Sequence, residues 1–300
     1  MSTPVASTPR NYQFWGALPF VIIHLCAFGA IWSGATREAV ICCIVLFLVR
    51  IFAVTGGYHR YFSHRTYKTS RVFQFVLACL AQSSAQKGVL WWAAHHRAHH
   101  LFSDHSGDLH SPVRDGFWYS HMGWLFNHTS DTDYSRIPDL ARYPELRFLN
   151  KYHLLPPIVL GVATYLLFDW SGLFVGFFLS TVITWHATFT INSLSHVFGR
   201  RRFATTDASR NNWLLAILTL GEGWHNNHHR FSSSVRQGFY WYEYDITFYI
   251  IKMLSWVGIV WDLRPVPASI LEEGRANDLQ HGRAGAPIMI ASQTTAVAPE

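Results

Sequence analysis

Four long apolar runs constrain the possible folds of this chain more than any other feature. The runs cover about residues 16–32, 39–56, 154–168 and 173–194, and short polar connectors join them in two pairs. Each run is near the roughly 20 residues that an α-helix needs to cross a bilayer. The pattern predicts an all-α integral membrane protein with four transmembrane helices in two hairpins.

The composition supports a membrane protein over a soluble one. Hydrophobic residues make up 50% of the chain and charged residues only 14%, against about 25% charged residues in a soluble domain. The net charge is +6, but the basic residues form no continuous stripe. They flank the apolar runs, which fits an anionic membrane surface and argues against nucleic acid as a partner.

The distribution of Lys and Arg predicts the orientation. Residues 59–151 contain eleven and residues 197–245 contain six, whereas the two short connectors contain only Arg37. Because basic loops stay on the cytoplasmic side, both long loops are predicted to be cytoplasmic. Arg50, near the end of the second run, is expected to extend its side chain toward the interface. The predicted location is a bacterial inner membrane, with the endoplasmic reticulum as the alternative.

The remaining segments divide the chain into one domain and a tail. Residues 1–272 are predicted to form the membrane domain, and the apolar stretch 246–261 to lie at the surface or the membrane interface as a helix. Residues 273–300 are rich in Ala, Gly, Thr and Pro, which predicts a disordered tail. The four cysteines form no CxxC pair, which excludes an iron–sulfur cluster or a zinc ribbon.

Three histidine boxes are the second notable feature. They are HRYFSH at 59–64, HHRAHH at 95–100 and HNNHH at 225–229. The HxxHH spacing of the second and third boxes places three imidazoles on one helix face, where they can converge on metal. The i, i+5 pair of the first box can converge only where a helix ends. All three boxes fall in the loops that charge assigns to the cytoplasm.

The histidine set indicates a pair of metals. A catalytic zinc normally takes three protein ligands and an open position, so eight histidines are too many for one such site, and the chain has no HExxH motif. Imidazole suits zinc, copper, iron and nickel, of which iron commonly activates O2. The other histidines are interpreted as ordinary polar groups (His24, His153, His186, His281) or as groups around the ligands or at the surface (His95, His105, His110, His121, His128).

With these motifs in place, the chain closely resembles the membrane fatty acyl-CoA desaturases of the stearoyl-CoA delta-9 type. Besides the boxes, the resemblance rests on HMGWLF at 121–126, NSLSH at 192–196 and GEGWHNNHHRF at 221–231. The segment RQGFYWYEYDIT is similar to the bacterial branch of the family. The resemblance implies four transmembrane helices under a cytosolic helical cap that holds two irons.

The resemblance also implies roles for individual residues. The implied iron ligands are His59, His64, His96, His99, His100, His196, His225, His228 and His229, with Asn192 holding a metal-bound water. Thr188, Asn192 and His196 recur every four residues and so share one helix face. Gln86, Trp92 and Thr188 are implied to surround the bend of an acyl tunnel. For Trp92 the alternative is a tryptophan in the interfacial belt.

The predicted activity is insertion of a cis double bond, at delta-9, into a long-chain acyl-CoA with O2 and two external electrons. A separate carrier is expected to supply them: a ferredoxin, a rubredoxin, or cytochrome b5 with its reductase. Where the animal acyl-CoA enzymes have an Arg-Asp pair before HRAHH, this chain has Ala94 and His95. Acyl-lipid and acyl-carrier-protein substrates therefore stay open, with Arg97, Arg114 and Lys87 as substitutes for the missing charges. A related di-iron hydroxylase and a metal transporter are the rival functions.

Overall fold

The computed structural model describes residues 14–127 and 131–284, with the side chains of 14–17 and 281–284 left undescribed. His128 and the side chain of His281 therefore lie outside the described residues. The helices of the first half are α1 (Phe14–Ala27), α2 (Gly29–Ser33), α3 (Arg37–Phe52), α4 (Arg71–Gln82), α5 (Val89–Phe102), α6 (Pro112–Asp115), α7 (Phe117–His121), α8 (Pro138–Ala141) and α9 (Pro144–Lys151). Those of the second half are α10 (Leu155–Ser171), α11 (Ser180–Ser193), α12 (Trp213–Leu218), α13 (His225–Arg230), α14 (Ile246–Trp256) and α15 (Ala268–Ala284).

Other regular structure is short. Two π-helical segments, Ala53–Ser63 and Gly172–Leu179, extend α3 and join α10 to α11. The strands β1 (Lys68–Thr69) and β2 (Val260–Trp261) form a two-stranded antiparallel sheet. The described residues are thus mostly helical, as predicted.

Local sequence explains where several helices begin. The Thr36 side chain accepts a hydrogen bond from the backbone N–H of Ala39 at the start of α3, and Ser70 does the same for Phe73 in α4. Asn212 caps α12 and Asp245 caps α14 in the same way. Side-chain oxygens at these positions satisfy backbone donors that have no partner inside the helix.

Two helices of the described residues are long and apolar enough to cross a membrane, Arg37–Ser63 and Leu155–His196. The first contains the predicted run 39–56 and continues seven residues beyond it. The run predicted at 16–32 forms a shorter apolar helix, Leu18–Ser33. Two spans are therefore present by length and composition, and the four-span topology stays a prediction.

The long helix Leu155–His196 is broken near its middle. Phe168 and Asp169 have non-helical backbone angles, with Asp169 at φ 55°. Gly161 lies against the ring of Phe177, although 16 residues of straight helix would separate them by about 24 Å. The chain therefore reverses at this break, and the segments on either side pack against each other as the predicted hairpin of 154–168 and 173–194.

Arg50 joins the two hairpins instead of reaching the interface. Its side chain is fully buried and donates hydrogen bonds to the hydroxyls of Ser180 and Thr181 in α11, the latter at 2.7 Å. Its Nε donates to the Leu46 carbonyl at 3.1 Å. The expectation that Arg50 snorkels to the interface is wrong, because these acceptors satisfy the guanidinium inside the protein.

Between and after the apolar helices, residues 64–127, 131–151 and 197–284 form a helical cap. Its core packs around the π-helical end of α3, and the largest fully buried apolar side chains there are Tyr58, Phe62, Leu77, Leu90, Ile137, Leu140, Leu146 and Ile251. The stretch predicted to form a surface or interfacial helix is α14, which ends at Trp256, before β2. Met253, Trp256 and Val257 at its end are exposed.

The C-terminal segment corrects one prediction. Residues 273–284, expected to be disordered, belong to α15. Glu273 pairs with Arg230 at 2.6 Å, and Asp278 pairs with Arg202 at 3.1 Å. Gly274 lies close to the Tyr240 hydroxyl, where a Cβ atom would clash. Composition could not show these contacts, because the arginines come from distant parts of the chain. Residues 285–300 lie outside the described residues.

The hydrogen bonds of Arg50 to Ser180 and Thr181 lead to a stability prediction. We expect Arg50→Lys to lower the free energy of unfolding by about 2 kcal/mol, since lysine cannot donate to both hydroxyls and hydrogen bonds from a charged group contribute roughly 1.5–3 kcal/mol each. The measurement is denaturant-induced unfolding in detergent. Arg37→Lys, at an exposed position, is the matched control. Equal stability of the two variants would contradict a stabilising role of the Arg50 hydrogen bonds.

Candidate metal centre

The first histidine box lies where the long membrane helix ends. His59 is in the π-helical segment Ala53–Ser63, and His64 follows it directly. The backbone N–H of His64 donates to the carbonyl of His59 at 3.2 Å, an i, i+5 hydrogen bond. A π-helical turn places residues five apart nearly in line. The wide turn at the helix end therefore brings together His59 and His64, which an ideal α-helix would separate.

The second and third boxes lie on α5 and α13, and each box is divided between two groups. In α5, His96 and His100 point to one group and His99 to the other. In α13, His228 joins the first group, while His225 and His229 join the second. The sequence predicts that the three histidines of a box converge together. In the structure, neighbouring positions on a helix point in different directions, so α5 and α13 each supply histidines to both groups.

The five-histidine group consists of His59, His64, His96, His100 and His228, whose nearest ring nitrogens all lie within 4.8 Å of one another. Successive Nε2 atoms are close: 3.0 Å from His59 to His228, 3.0 Å from His228 to His100, 3.0 Å from His100 to His96, and 2.9 Å from His96 to His64. These four short separations place the five Nε2 atoms in a compact shell.

The four-histidine group consists of His99, His196, His225 and His229, again with ring nitrogens within 4.8 Å. His196, from the 3-10 turn that follows α11, has its Nε2 3.0 Å from Nε2 of His225. The Nε2 atom of His229 is buried and has no hydrogen-bond partner. All nine histidines predicted as ligands thus fall into the two groups, and Asn192 lines the cavities beside them.

The spacing of the nitrogens tests whether metals fit. With a metal–nitrogen distance of about 2.1 Å, ligands at right angles lie about 3.0 Å apart, and ligands of a tetrahedron about 3.4 Å apart. The observed Nε2 separations of 2.9–3.0 Å match the right-angle case. An unpartnered, buried Nε2 on His229 also suits a ligand, because buried nitrogens are otherwise hydrogen-bonded. The residues therefore fit two metal ions with more than tetrahedral coordination.

Comparison with known proteins agrees with this chemistry. The family model described as fatty acid desaturase matches residues 35–254. An sn-1 stearoyl-lipid 9-desaturase of Anabaena variabilis is 35% identical over 266 residues, which cover 87% of this chain and 97% of the relative. The chain belongs to the fatty acid desaturase family.

Other relatives differ in the substrates that their names give. A chloroplastic palmitoyl-monogalactosyldiacylglycerol delta-7 desaturase of Arabidopsis thaliana is 34% identical and covers 83% of this chain and 68% of the relative. An acyl-CoA 5-desaturase of Anemone leveillei is 34% identical and covers 81% of this chain and 74% of the relative. The relatives thus include both acyl-lipid and acyl-CoA desaturases.

Four carboxylates orient the histidines of this desaturase. Nδ1 of His99 donates to Asp108 at 3.1 Å, and Nδ1 of His196 donates to Asp104 at 2.8 Å. His229 donates to Asp207 at 2.5 Å, and His59 pairs with Glu222. A proton held on Nδ1 leaves the Nε2 lone pair directed inward.

Sequence reasoning missed these acids, although the positions of three gave a signal. Asp104 and Asp108 follow the second box within eight residues, and Glu222 stands in the segment GEGWHNNHHRF. Asp207 follows the long apolar helix by eleven residues, and its pairing with His229 comes only from the tertiary fold.

Five of the clustered imidazoles outside the long apolar helices have a strongly lowered pKa. Burial and the neighbouring histidines keep the pKa of His64, His96 and His100 well below the usual value, and the same causes act on His225 and His228. For His99 burial acts in the same direction, but the charge of Asp108 outweighs it and raises the pKa. Each of these five neutral rings therefore keeps one nitrogen free of a proton near pH 7, and that nitrogen can bind metal.

A cavity of about 470 Å³ leads to both groups. The lining includes the three predicted substrate residues, Gln86, Trp92 and Thr188, together with His96 and His99. A second cavity of about 50 Å³ touches both groups through His59, His96, His99 and His225, and is also lined by Trp92 and Thr188. The large cavity falls in the range of roughly 300–1,000 Å³ that is usual for small-molecule sites.

The predicted substrate residues lie where the cavity meets the metal site. Nε2 of Gln86 donates to Thr188 Oγ1 at 3.1 Å, which joins the loop before α5 to α11. Trp92 stacks between Tyr58 and His96, with ring centroids 5.3 and 4.9 Å apart. This position inside the protein favours the cavity-lining role of Trp92 over the interfacial belt.

Several other histidines lie outside the two groups, and the buried Nδ1 of one of them, His110, has no hydrogen-bond partner. His24, His186 and His121 form a hydrogen-bonded chain with nitrogen separations of 3.0 and 2.9 Å, ending on Ser193. His105 is exposed. His110 lies against His99 and Trp124 at the cavity wall.

The division into two groups predicts the effect of losing one ligand. We expect His96→Ala to abolish desaturation and to lower bound metal from about two ions to about one ion per chain, because the open position weakens binding in the five-histidine group. Elemental analysis of purified protein gives the count. The control is His105→Ala, which removes an exposed histidine. Undiminished activity of His96→Ala would contradict a ligand role.

Proposed function

We propose that the chain is a di-iron acyl desaturase, which uses O2 and two external electrons to insert a cis double bond into a long acyl chain. The observation that carries this proposal is the largely apolar cavity that ends on two adjacent histidine groups. The family supports the reaction class. The predicted delta-9 position comes from the resemblance alone and is to be read by mass spectrometry of the product.

The overall reaction balances as one CH2–CH2 unit, O2, two electrons and two protons giving one CH=CH unit and two waters. The methylene C–H bond has no acidity that a side-chain base can use, so the metal pair, when bound, supplies the oxidising power. The nine histidines would hold the two ions, and Asn192 beside them would hold a metal-bound water.

The chain's own residues position the substrate. Trp92 and Thr188 line both cavities, so an acyl chain entering the larger one passes between them to reach the space beside the two groups. The Gln86–Thr188 hydrogen bond holds the two cavity walls together at this point. Confining two neighbouring carbons beside the metals in a bent, water-poor space would favour a cis product.

We also propose the four-span topology with the helical cap in the cytoplasm, in a bacterial inner membrane. The hairpin of Leu155–His196 and the apolar helix Leu18–Ser33 support four crossings, and the basic loops support the orientation. Histidine ligands at the cap end of the apolar helices disfavour metal transport, which needs polar groups along a path through the membrane.

Two carriers of the acyl chain are candidates for this function. The sequence favours acyl-CoA, with Arg97, Arg114 and Lys87 as phosphate partners. Arg97 is instead occupied inside the cap: it donates to both carboxylate oxygens of Asp139, at 2.7 and 3.1 Å, and to the backbone carbonyls of Phe62 and Ser63. Among the described residues that line the large cavity, Lys87 is the only lysine or arginine. An acyl lipid with a weakly charged headgroup is therefore the second candidate.

Substrate carriers can be compared directly. One C18 chain is offered to the purified enzyme as acyl-CoA, as acyl-carrier protein and as a glycerolipid. With a single cavity-lining cation, we expect loss of charge in Lys87→Gln to reduce turnover of acyl-CoA more than turnover of the lipid. Desaturation of the lipid alone would overturn the acyl-CoA assignment and leave the desaturase assignment standing. A hydroxylated product would instead show a hydroxylase.

The electrons are proposed to come from a separate one-electron carrier, such as a ferredoxin, a rubredoxin or cytochrome b5. The four cysteines are unpaired and lie in or beside apolar helices, which argues against a cysteine-bound redox centre in this chain. The basic cap would attract an acidic carrier. We expect turnover at limiting carrier to fall as salt rises, because screening weakens such steering. Steady-state rates at several salt concentrations test this, and full turnover with NADH alone would contradict it.

A further inference from the structure

The two histidine groups differ in the charge that surrounds them. In the four-histidine group, three of four imidazoles donate Nδ1–H to aspartates: His99 to Asp108, His196 to Asp104 and His229 to Asp207. In the five-histidine group, only His59 has a carboxylate partner, Glu222. All four carboxylates are buried.

Apart from histidines, the three aspartate carboxylates have only hydroxyl and backbone partners among the described residues. Asp104 accepts from the Ser111 hydroxyl and the Ala208 backbone N–H. Asp108 accepts from the backbone of Asp104 and His110, and Asp207 from that of Ser209. No lysine or arginine in the described part of the chain forms an ion pair with these three carboxylates.

Glu222 is in the opposite situation. Arg60, which is fully buried, donates to Glu222 at 3.0 Å and to Asp245 at 2.9 Å. The guanidinium thus compensates charge beside the five-histidine group. The four-histidine group thus has three carboxylates beside it that no lysine or arginine pairs with, whereas Arg60, Glu222 and Asp245 beside the five-histidine group carry a net charge of only −1.

We infer that the four-histidine group binds its metal ion more tightly than the five-histidine group, and that Asp104, Asp108 and Asp207 are the positioning residues responsible. This inference rests on the proposed two-metal site. Charge–charge attraction is strong in a buried, water-poor region, and carboxylate partners also make imidazoles better ligands. The additional imidazole of the five-histidine group favours tighter binding there. It is neutral, however, and four of the five rings in that group lack a carboxylate partner.

Iron release measures this difference without any assay of activity. Purified protein in detergent is loaded with Fe²⁺ without oxygen and then mixed with excess coloured chelator. We expect two release phases of equal amplitude, and the rate of the slow phase should be about 10-fold or more below that of the fast phase. This matches the roughly 10- to 100-fold effects on metal affinity of groups that are hydrogen-bonded to ligands. His64→Ala should remove the fast phase and His225→Ala the slow phase.

Neutral variants test the aspartates. In Asp104→Asn and Asp207→Asn an amide oxygen can still accept the Nδ1–H bond, but the charge is lost. Each should accelerate the slow phase by about 10- to 100-fold and leave the fast phase unchanged. Asp133→Asn is the matched control, because Asp133 is partly exposed and pairs with Arg136 away from both groups. Both of its phases should be those of the unmodified protein.

The outcomes separate this inference from the proposed function. Two irons released in a single phase, or acceleration of the fast phase by Asp104→Asn, would overturn the inference and leave a two-iron enzyme. Protein that retains no iron under any loading condition would overturn both. If an aspartate variant does not fold, the phases of the unmodified protein and of the two histidine variants decide the order of release.

Discussion

The structure depends on holding nine imidazole rings together in a largely buried space. Each ring on its own would be more stable in water, and crowding makes protonation of any one of them unfavourable for its neighbours. Metal ions are the partners that such a set of lone pairs can share, and the 2.9–3.0 Å separations suit them. The helical cap supplies the rest: carboxylates behind the rings, a wide helical turn at the first box, and two helices that each serve both groups.

The apolar helices provide the rigid base for this arrangement. The first box is the direct continuation of the long helix Arg37–Ser63, and His196 follows the end of the hairpin Leu155–His196. The hydrogen bonds of Arg50 to Ser180 and Thr181 link these two helices. The fully buried Arg60 acts on the cap side, where it ties the same long helix to Glu222 and Asp245.

The large cavity connects the apolar helices to the two histidine groups. It extends from residues of α1 and of the segment before α10 to His96 and His99, so its walls combine apolar helices and cap. Desaturation of an unactivated chain needs such an apolar approach to the metals, since water or a polar headgroup beside them would compete with the acyl chain. Trp92 and Thr188 line both the large cavity and the small one beside the two groups, and Gln86, which donates to Thr188, lines the large one.

The sequence by itself determined the all-α class, the apolar runs and the three histidine boxes, because hydrophobic length and histidine spacing are local properties of the chain, whereas His196 was assigned from the family resemblance. The division of the nine histidines into five and four was decided by the tertiary structure, since it depends on how α5, α13 and the π-helical segment Ala53–Ser63 pack together. The buried state of Arg50 and the order of residues 273–284 were also tertiary results, because Ser180, Thr181, Arg202 and Arg230 are distant in sequence. The same reason applies to the carboxylates: Asp207 becomes a partner of His229 only when the chain brings the two residues together.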